Sequence, residues 1–347
     1  MKYLKYFLVF VPISIIGHYV EFSDSVVFLC SCLAIIPLAG FLGEATEELA
    51  VYTGPKFRGF LNATFGNATE LIIAFFAMKA GLFDVVKASL AGSVLGNILL
   101  VLGVSIFAGG LKNKDLYFDK EQGSFTSTML LFSLIGLSLP AVFTYSIPES
   151  VLELKYEKFS LLVAAILLII YVIGLIYSFR TQKDVYGVEH AEDLDKHWDK
   201  KTSITVLAVC TLLIAIESEL LVKTIEPMTH SLGINKMFVG IILIPIIGNA
   251  AEHSTAVVMA LKNKMDIAIE IAIGSSLQIS LFVAPLLVLL SHFFKPMSIV
   301  FLPIEIFVFA ASVLIANKIV ASGKTNWLEG LLLISVYLIA AIGFFVL

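Results

Sequence analysis

Eleven long apolar stretches dominate the sequence, at approximately 6–20, 26–52, 59–78, 82–110, 125–147, 159–179, 203–222, 237–261, 265–294, 298–317 and 327–347. A helix that crosses the hydrocarbon core of a bilayer needs about 20 apolar residues. These runs are apolar on every face, which excludes the short, alternating strands of a membrane barrel. Of the 347 residues, 59% are apolar and only 14% charged, against roughly 45–50% and about 25% in soluble domains. The formal net charge is −4, so the basic surface of a nucleic-acid binder is missing. The predicted fold is therefore an all-α polytopic membrane protein with eleven transmembrane helices. The first stretch follows Lys2 and Lys5 in the manner of a signal peptide, but no small-x-small cleavage site follows it, and it is expected to remain as a helix.

Lys and Arg collect in cytoplasmic loops. With the N-terminus inside, sixteen of the 23 basic residues fall in inner segments and seven in outer ones. The expected orientation has the N-terminus cytoplasmic and the C-terminus outside. Residues 181–201 form the long hydrophilic connection, with six acids and three lysines between Asp184 and Lys201. This stretch reads as a solvated acidic linker. Without the Asp/Asn alternation and central Gly of a helix–loop–helix calcium site, it carries only a weak signal for regulatory cation binding. Cys30, Cys32 and Cys210 all lie inside spans and read as small packing residues.

The chain repeats itself. Gly66-Asn67-Ala68-Thr69-Glu70 recurs as Gly248-Asn249-Ala250-Ala251-Glu252, an offset of 182, and the same offset aligns Asp84 with Asp266 and Gly92-Ser93 with Gly274-Ser275. Eleven identities occur in the 36 positions from Gly66 to Val101, and the best-shared residues are polar ones in mid-span. The repeat unit is five spans, an odd number, so the second copy is expected upside down. Inverted repeats with broken helices at the midplane are a recurring design of secondary transporters. The organisation expected is a first helix over 1–25, a first repeat over 26–180, the linker over 181–201 and a second, inverted repeat over 202–347.

Each repeat carries a glutamate in mid-span. A carboxylate at that depth costs about 2.5–3.5 kcal/mol on insertion scales, and neither span offers an interior Lys or Arg. Protons, a metal cation, or both in turn remain as compensation. Gly-Asn in mid-span weakens the helix so that carbonyls can face a cavity, and Pro245 adds a break before the second copy. Asn67 and Asn249 supply amide oxygens beside the carboxylates. In the following spans Ser93 and Asn97 share one helix face, as do Ser275 and Gln278. Such an all-oxygen set suits calcium at about six to eight ligands, and the spans that carry it hold no Cys or paired His for a softer metal. His253 adjoins Glu252 but points about 100° away, as a neighbour to the site or a packing residue.

The same carboxylates explain proton coupling. Like charges in a low-dielectric cavity favour protonation and a divalent cation opposes it, so the two cargoes should exclude one another. Glu44, Glu47 and Glu48 lie toward the inner end of the second span, and Glu217 and Glu219 toward the outer end of the seventh. Of these, Glu47 and Glu219 are candidate access-gate carboxylates. Asp84 and Asp266 begin their spans and read as N-caps.

The Gly-Asn-Ala-Thr-Glu-Leu-Ile run at 66–72, the Gly-Asn-Ala-Ala-Glu-His run at 248–253, the Gly-Ser-x-Leu pairs, Asn-Lys-Met-Asp at 263–266 and the mid-chain acidic stretch together resemble the calcium/proton antiporters of the calcium/cation exchanger superfamily. The resemblance covers nearly the whole chain. It implies Ca2+/H+ exchange, with Glu70 and Glu252 as the shared site and Asn67, Asn249, Ser93, Asn97, Ser275 and Gln278 as oxygen donors. It also implies an access role for Glu47 and Glu219, and homo-oligomers, trimers among them. No cofactor is expected beyond the transported Ca2+ and H+, and the membrane expected is a prokaryotic plasma membrane. The competing reading is a sodium/calcium exchanger, or an exchanger of another divalent ion such as Mn2+. An intramembrane zinc hydrolase would need His-Glu-x-x-His and an ATP-driven pump a Gly-rich phosphate loop; the sequence has neither, so a transporter rather than an enzyme is expected.

Overall fold

A computed structural model describes residues 4–53, 61, 64–146, 155–181 and 198–346. Most of the acidic linker, 182–197, lies outside the described residues, as do Lys56 and Arg58. The chain is nearly all helical. In order, the elements are α1 (Leu4–Tyr19), α2 (Asp24–Thr53), α3 (Ala68–Lys79), α4 (Phe83–Asn113), β1 (Asp115–Tyr117), α5 (Lys120–Ser146), α6 (Lys155–Thr181), α7 (Lys200–Leu232), α8 (Lys236–Gly248), α9 (Ala250–Leu261), α10 (Met265–Ser291), α11 (Pro303–Val320), β2 (Lys324–Asn326) and α12 (Trp327–Val346). Among the described residues α2, α4, α5, α6, α7, α10, α11 and α12 are long and apolar enough to cross a membrane. The pair α8 and α9 makes a ninth span if joined, bent by 62°. Helix α1 opens with a 3-10 stretch, Leu4–Val9, and falls below spanning length. β1 and β2 form a small antiparallel ribbon, with Leu116 opposite Thr325, that an all-α expectation did not include.

The elements gather into two compact units. The first comprises Met1–Gly92, Val188–Glu252 and Ala341–Leu347; the second comprises Ser93–Gly187 and His253–Ala340. Each unit thus draws on both halves of the sequence.

In the first unit α2 and α7 lie along one another, with α1 and α3 packed against them. Val11 of α1, Ala34, Leu38 and Leu42 of α2, Ala68 of α3 and Cys210 and Ile214 of α7 form a buried apolar cluster. In lipid, such packing rests on close van der Waals fit rather than on expulsion of water. Cys30, Cys32 and Cys210 are free and buried, in keeping with a packing role. α7 begins at Asp199, whose carboxylate accepts from Thr202 N at 3.3 Å, and ends at Gly233 in the left-handed region at φ 64°.

Three helices contain a π turn, at Gly96–Val101 in α4, Val239–Leu243 in α8 and Ile279–Val283 in α10. Two of them end two residues before a proline, Pro245 and Pro285. A proline has no N–H to return to the carbonyl four residues back, and the wider turn is one way to absorb that loss. In α8 the carbonyl concerned is that of Ile241. A Cβ on Gly92 would stand 2.6 Å from the Ile241 carbonyl carbon, with backbone on the receiving side. Gly92→Ala is expected to destabilise the chain by about 1–3 kcal/mol, as overpacking does. Gly96, which would meet nothing within 4 Å, should accept Ala with little change. Thermal unfolding of the two variants in detergent checks the contrast.

The two aspartates expected as N-caps do not cap. Asp84 and Asp266 sit inside the first turns of α4 and α10, and Lys264 occupies the cap position of α10. Asp84 instead pairs with Lys87 at 3.1 Å. Asp266 Oδ1 accepts the backbone N–H of Asp119 at 2.6 Å, a partner from a distant part of the chain.

Candidate functional site

Both repeated motifs are helix breaks. Gly66-Asn67 ends an irregular turn before α3, and Asn249 separates α8 from α9. Each glutamate therefore becomes the third residue of a new helix, Glu70 in α3 and Glu252 in α9. At that position a carboxylate meets unpaired backbone N–H groups and the positive end of the helix dipole, which together offset part of its burial cost. The break at Asn249 also ends α8, so the last-turn carbonyls there lose their helical donors. Asn249 Nδ2 donates to Pro245 O at 3.1 Å, and Asn249 N bonds to the same carbonyl at 3.0 Å. That fixes the amide so that Oδ1 is its outward end.

Glu70 is 8% exposed, and its Oε1 has no hydrogen-bond partner among the described residues. A Cβ on Gly248 would lie 2.8 Å from that oxygen. The carboxylate of the first motif is thus seated against the second, in a space that only glycine leaves open. Glu252, the glutamate of the second motif, is half-buried in the same unit and acts electrostatically on Glu70. Asn67 and Asn249 are both buried, each at 2% exposure, and Thr69 is buried beside them. Four of the expected site residues, Glu70, Glu252, Asn67 and Asn249, therefore fall within the first unit.

Ser93, Asn97, His253, Ser275 and Gln278 fall within the second unit. All but the half-buried His253 are buried. There α10 packs on the π turn of α4 that contains Asn97. His253 Nε2 lies 3.3 Å from Asn97 Oδ1. Among the described residues, no three His, Cys, Asp or Glu side chains gather closely enough to hold a metal. A cation at Glu70 would therefore draw on neutral oxygens as well.

The two access candidates are exposed. Glu219 pairs with Lys223 at 2.8 Å, one turn along α7, and Glu47 is the exposed acid of its cluster, whereas Glu48 is buried with Oε2 3.3 Å from Trp198 N. Tyr52 donates to the carbonyl of the same Trp198 at 2.7 Å. One signal passed over in the sequence is that the offset of 182 also carries Glu44 onto Glu226. Glu44 is half-buried, and Glu226 is exposed and paired with Lys236.

The family described as sodium/calcium exchanger protein matches residues 24–180 and 202–346. The chain belongs to that family. It is 44% identical to a Ca2+/H+ antiporter of Aphanothece halophytica, over 97% of this chain and 95% of that one. It is 43% identical to the Ca2+/H+ antiporter ChaA of Bacillus subtilis (strain 168), over 97% of each. The fold is similar to that of the selenium-substituted Ca2+/H+ antiporter protein YfkE, with a TM-score of 0.86 and 39% identity over the full length of both. The resemblance read from the Gly-Asn-Ala-x-Glu motifs is borne out, and the chain is an integral, multi-pass membrane protein of a transporter family.

Proposed function

We propose that this chain exchanges Ca2+ for H+ across its membrane by alternating access, with Glu70 and Glu252 as the shared cation and proton site. The observation that carries the reading is the buried Glu70 carboxylate in the first turn of α3, seated against Gly248 of the second motif. Two buried carboxylates that act on one another are stable only when a proton or a divalent cation neutralises them. Asn67 and Asn249 extend the oxygen shell, and the reading counts Ser93, Asn97, Ser275 and Gln278 as further oxygen donors. The glutamates titrate as a pair rather than singly. A proton gradient then displaces the cation from the site it occupies, and no second cargo site is needed.

The reading includes eleven spans, with α3 and its preceding turn as one broken span and α1 as a further helix outside two inverted five-helix repeats. It places the N-terminus in the cytoplasm. Identity above 40% to antiporters named for calcium and protons supports protons over sodium as the driving ion.

In proteoliposomes, an imposed pH gradient is expected to drive Ca2+ uptake, and collapsing the gradient should stop it at once. Replacing Na+ with an impermeant cation should leave the rate unchanged. Uptake that follows the Na+ gradient and ignores pH would assign the chain to sodium/calcium exchange instead.

A further inference from the structure

A second buried carboxyl lies in the first unit, on α7. Glu217 is 0% exposed, although Glu219 two residues on is open to the surroundings. It belongs to a polar layer contributed by three helices: Ser14 from α1, Ser31 from α2 and Glu217 from α7, all at 0% exposure. One turn away on each helix stands an apolar residue, Val11, Ala34 and Ile214, and these three belong to the buried cluster of this unit. The layer is therefore closed on that side by hydrocarbon.

Counting hydrogens decides its chemistry. Ser14 Oγ lies 2.8 Å from Val11 O and 2.7 Å from Glu217 Oε1. A serine hydroxyl has one hydrogen, and a carbonyl can only accept. If that hydrogen goes to Val11 O, the contact with Glu217 needs a hydrogen from the carboxyl. Ser31 of α2 also acts on this carboxyl, although neither Ser31 Oγ nor Glu217 Oε2 completes a hydrogen bond of ordinary geometry among the described residues. Among the described residues no ion pair balances the group. Cys30 and Cys32 are the titratable side chains that face it from α2. His18 of α1, Lys79 of α3 and Lys223 of α7 act on Glu219 instead, and Lys236 of α8 is paired with Glu226. An ionised carboxylate in such a place would be uncompensated, which is among the costliest arrangements a protein can hold.

We propose that Ser14, Ser31 and Glu217 form a proton-binding site, separate from the Glu70 site, in which Glu217 is held as a neutral carboxylic acid that donates to Ser14 and ties α1 to α7. The proton here is resident and not cargo. It joins α1 to α7 through a contact that calcium does not touch.

Infrared spectroscopy of the full-length protein in lipid at neutral pH tests this. With the Glu70 site saturated with Ca2+, so that Glu70 and Glu252 are ionised, the carbonyl-stretch band of a protonated carboxylic acid is expected in the wild type and is expected to be lost in Glu217→Gln. Ser14→Ala should keep the band but move it to higher frequency, because the carboxyl loses its acceptor; this arm holds even if Glu217→Gln folds poorly. Glu217→Gln should retain Ca2+ uptake under a pH gradient. Loss of a carboxylate band instead of an acid band in Glu217→Gln, or an unmoved band in Ser14→Ala, would overturn the proposal. So would uncoupling of uptake from protons in a folded Glu217→Gln protein, since the proton would then be cargo.

Discussion

Glu70→Gln is expected to abolish exchange while leaving the protein folded. The amide keeps the shape of the side chain and removes both the charge that binds the cation and the acceptor that takes the proton. Removing one partner of a buried charged interaction costs about 3–5 kcal/mol, which is more than about 100-fold in affinity at 1.4 kcal/mol per decade. Stability should hold or rise, because a buried carboxylate without a basic partner is itself a cost. Glu252→Gln should behave in the same way, although Glu252 is half-buried where Glu70 is buried. Proton-driven Ca2+ uptake, together with thermal unfolding on the same preparation, checks both halves of the expectation. Wild-type exchange by either folded variant would end the shared-site reading.

Gly248→Ala should weaken calcium binding without replacing any ligand residue. The added Cβ would stand 2.8 Å from Glu70 Oε1, roughly 0.5–1 Å inside ordinary contact. The atom it meets is the end of a flexible side chain, so the carboxylate moves and the backbone does not. A misplacement of that size in a preorganised site costs on the order of 10- to 100-fold. Gly92→Ala provides the contrast, since the atoms it meets are backbone and its effect should appear in stability. In a Glu70→Gln background, Gly248→Ala should add almost nothing to the loss of binding, because residues in one contact are not additive. Calcium binding isotherms on the single and double variants measure the coupling directly.

Much of this was legible in the chain because lipid is a demanding solvent. Spans must be apolar for about 20 residues, and the helices from α2 onward lie where those runs lie. The breaks at Asn67 and Asn249 were legible because Gly-Asn in mid-span recurs with a glutamate three residues further on. What stayed hidden was rotation about the helix axis. In α2 and α7 nearly every face is apolar, so no stripe tells which of two nearby acids points inward. Glu48 and Glu217 are buried, while Glu47 and Glu219 are exposed. The π turns were hidden for a related reason: the sequence marks two of them only by the proline that follows. Asp266 escaped the capping rule because Asp119, 147 residues earlier, supplies a backbone N–H for its carboxylate, and no local rule reports such a partner.

The most direct measurement is the number of protons released when calcium binds the purified protein, obtained by calorimetry in buffers of different ionisation enthalpy. The account predicts that wild type releases protons on binding, and that calcium affinity falls as pH is lowered. It predicts that release is lost when Glu70 and Glu252 are both replaced by Gln. Calcium binding with no proton release, and with an affinity indifferent to pH, would contradict the claim that one pair of carboxylates serves both ions.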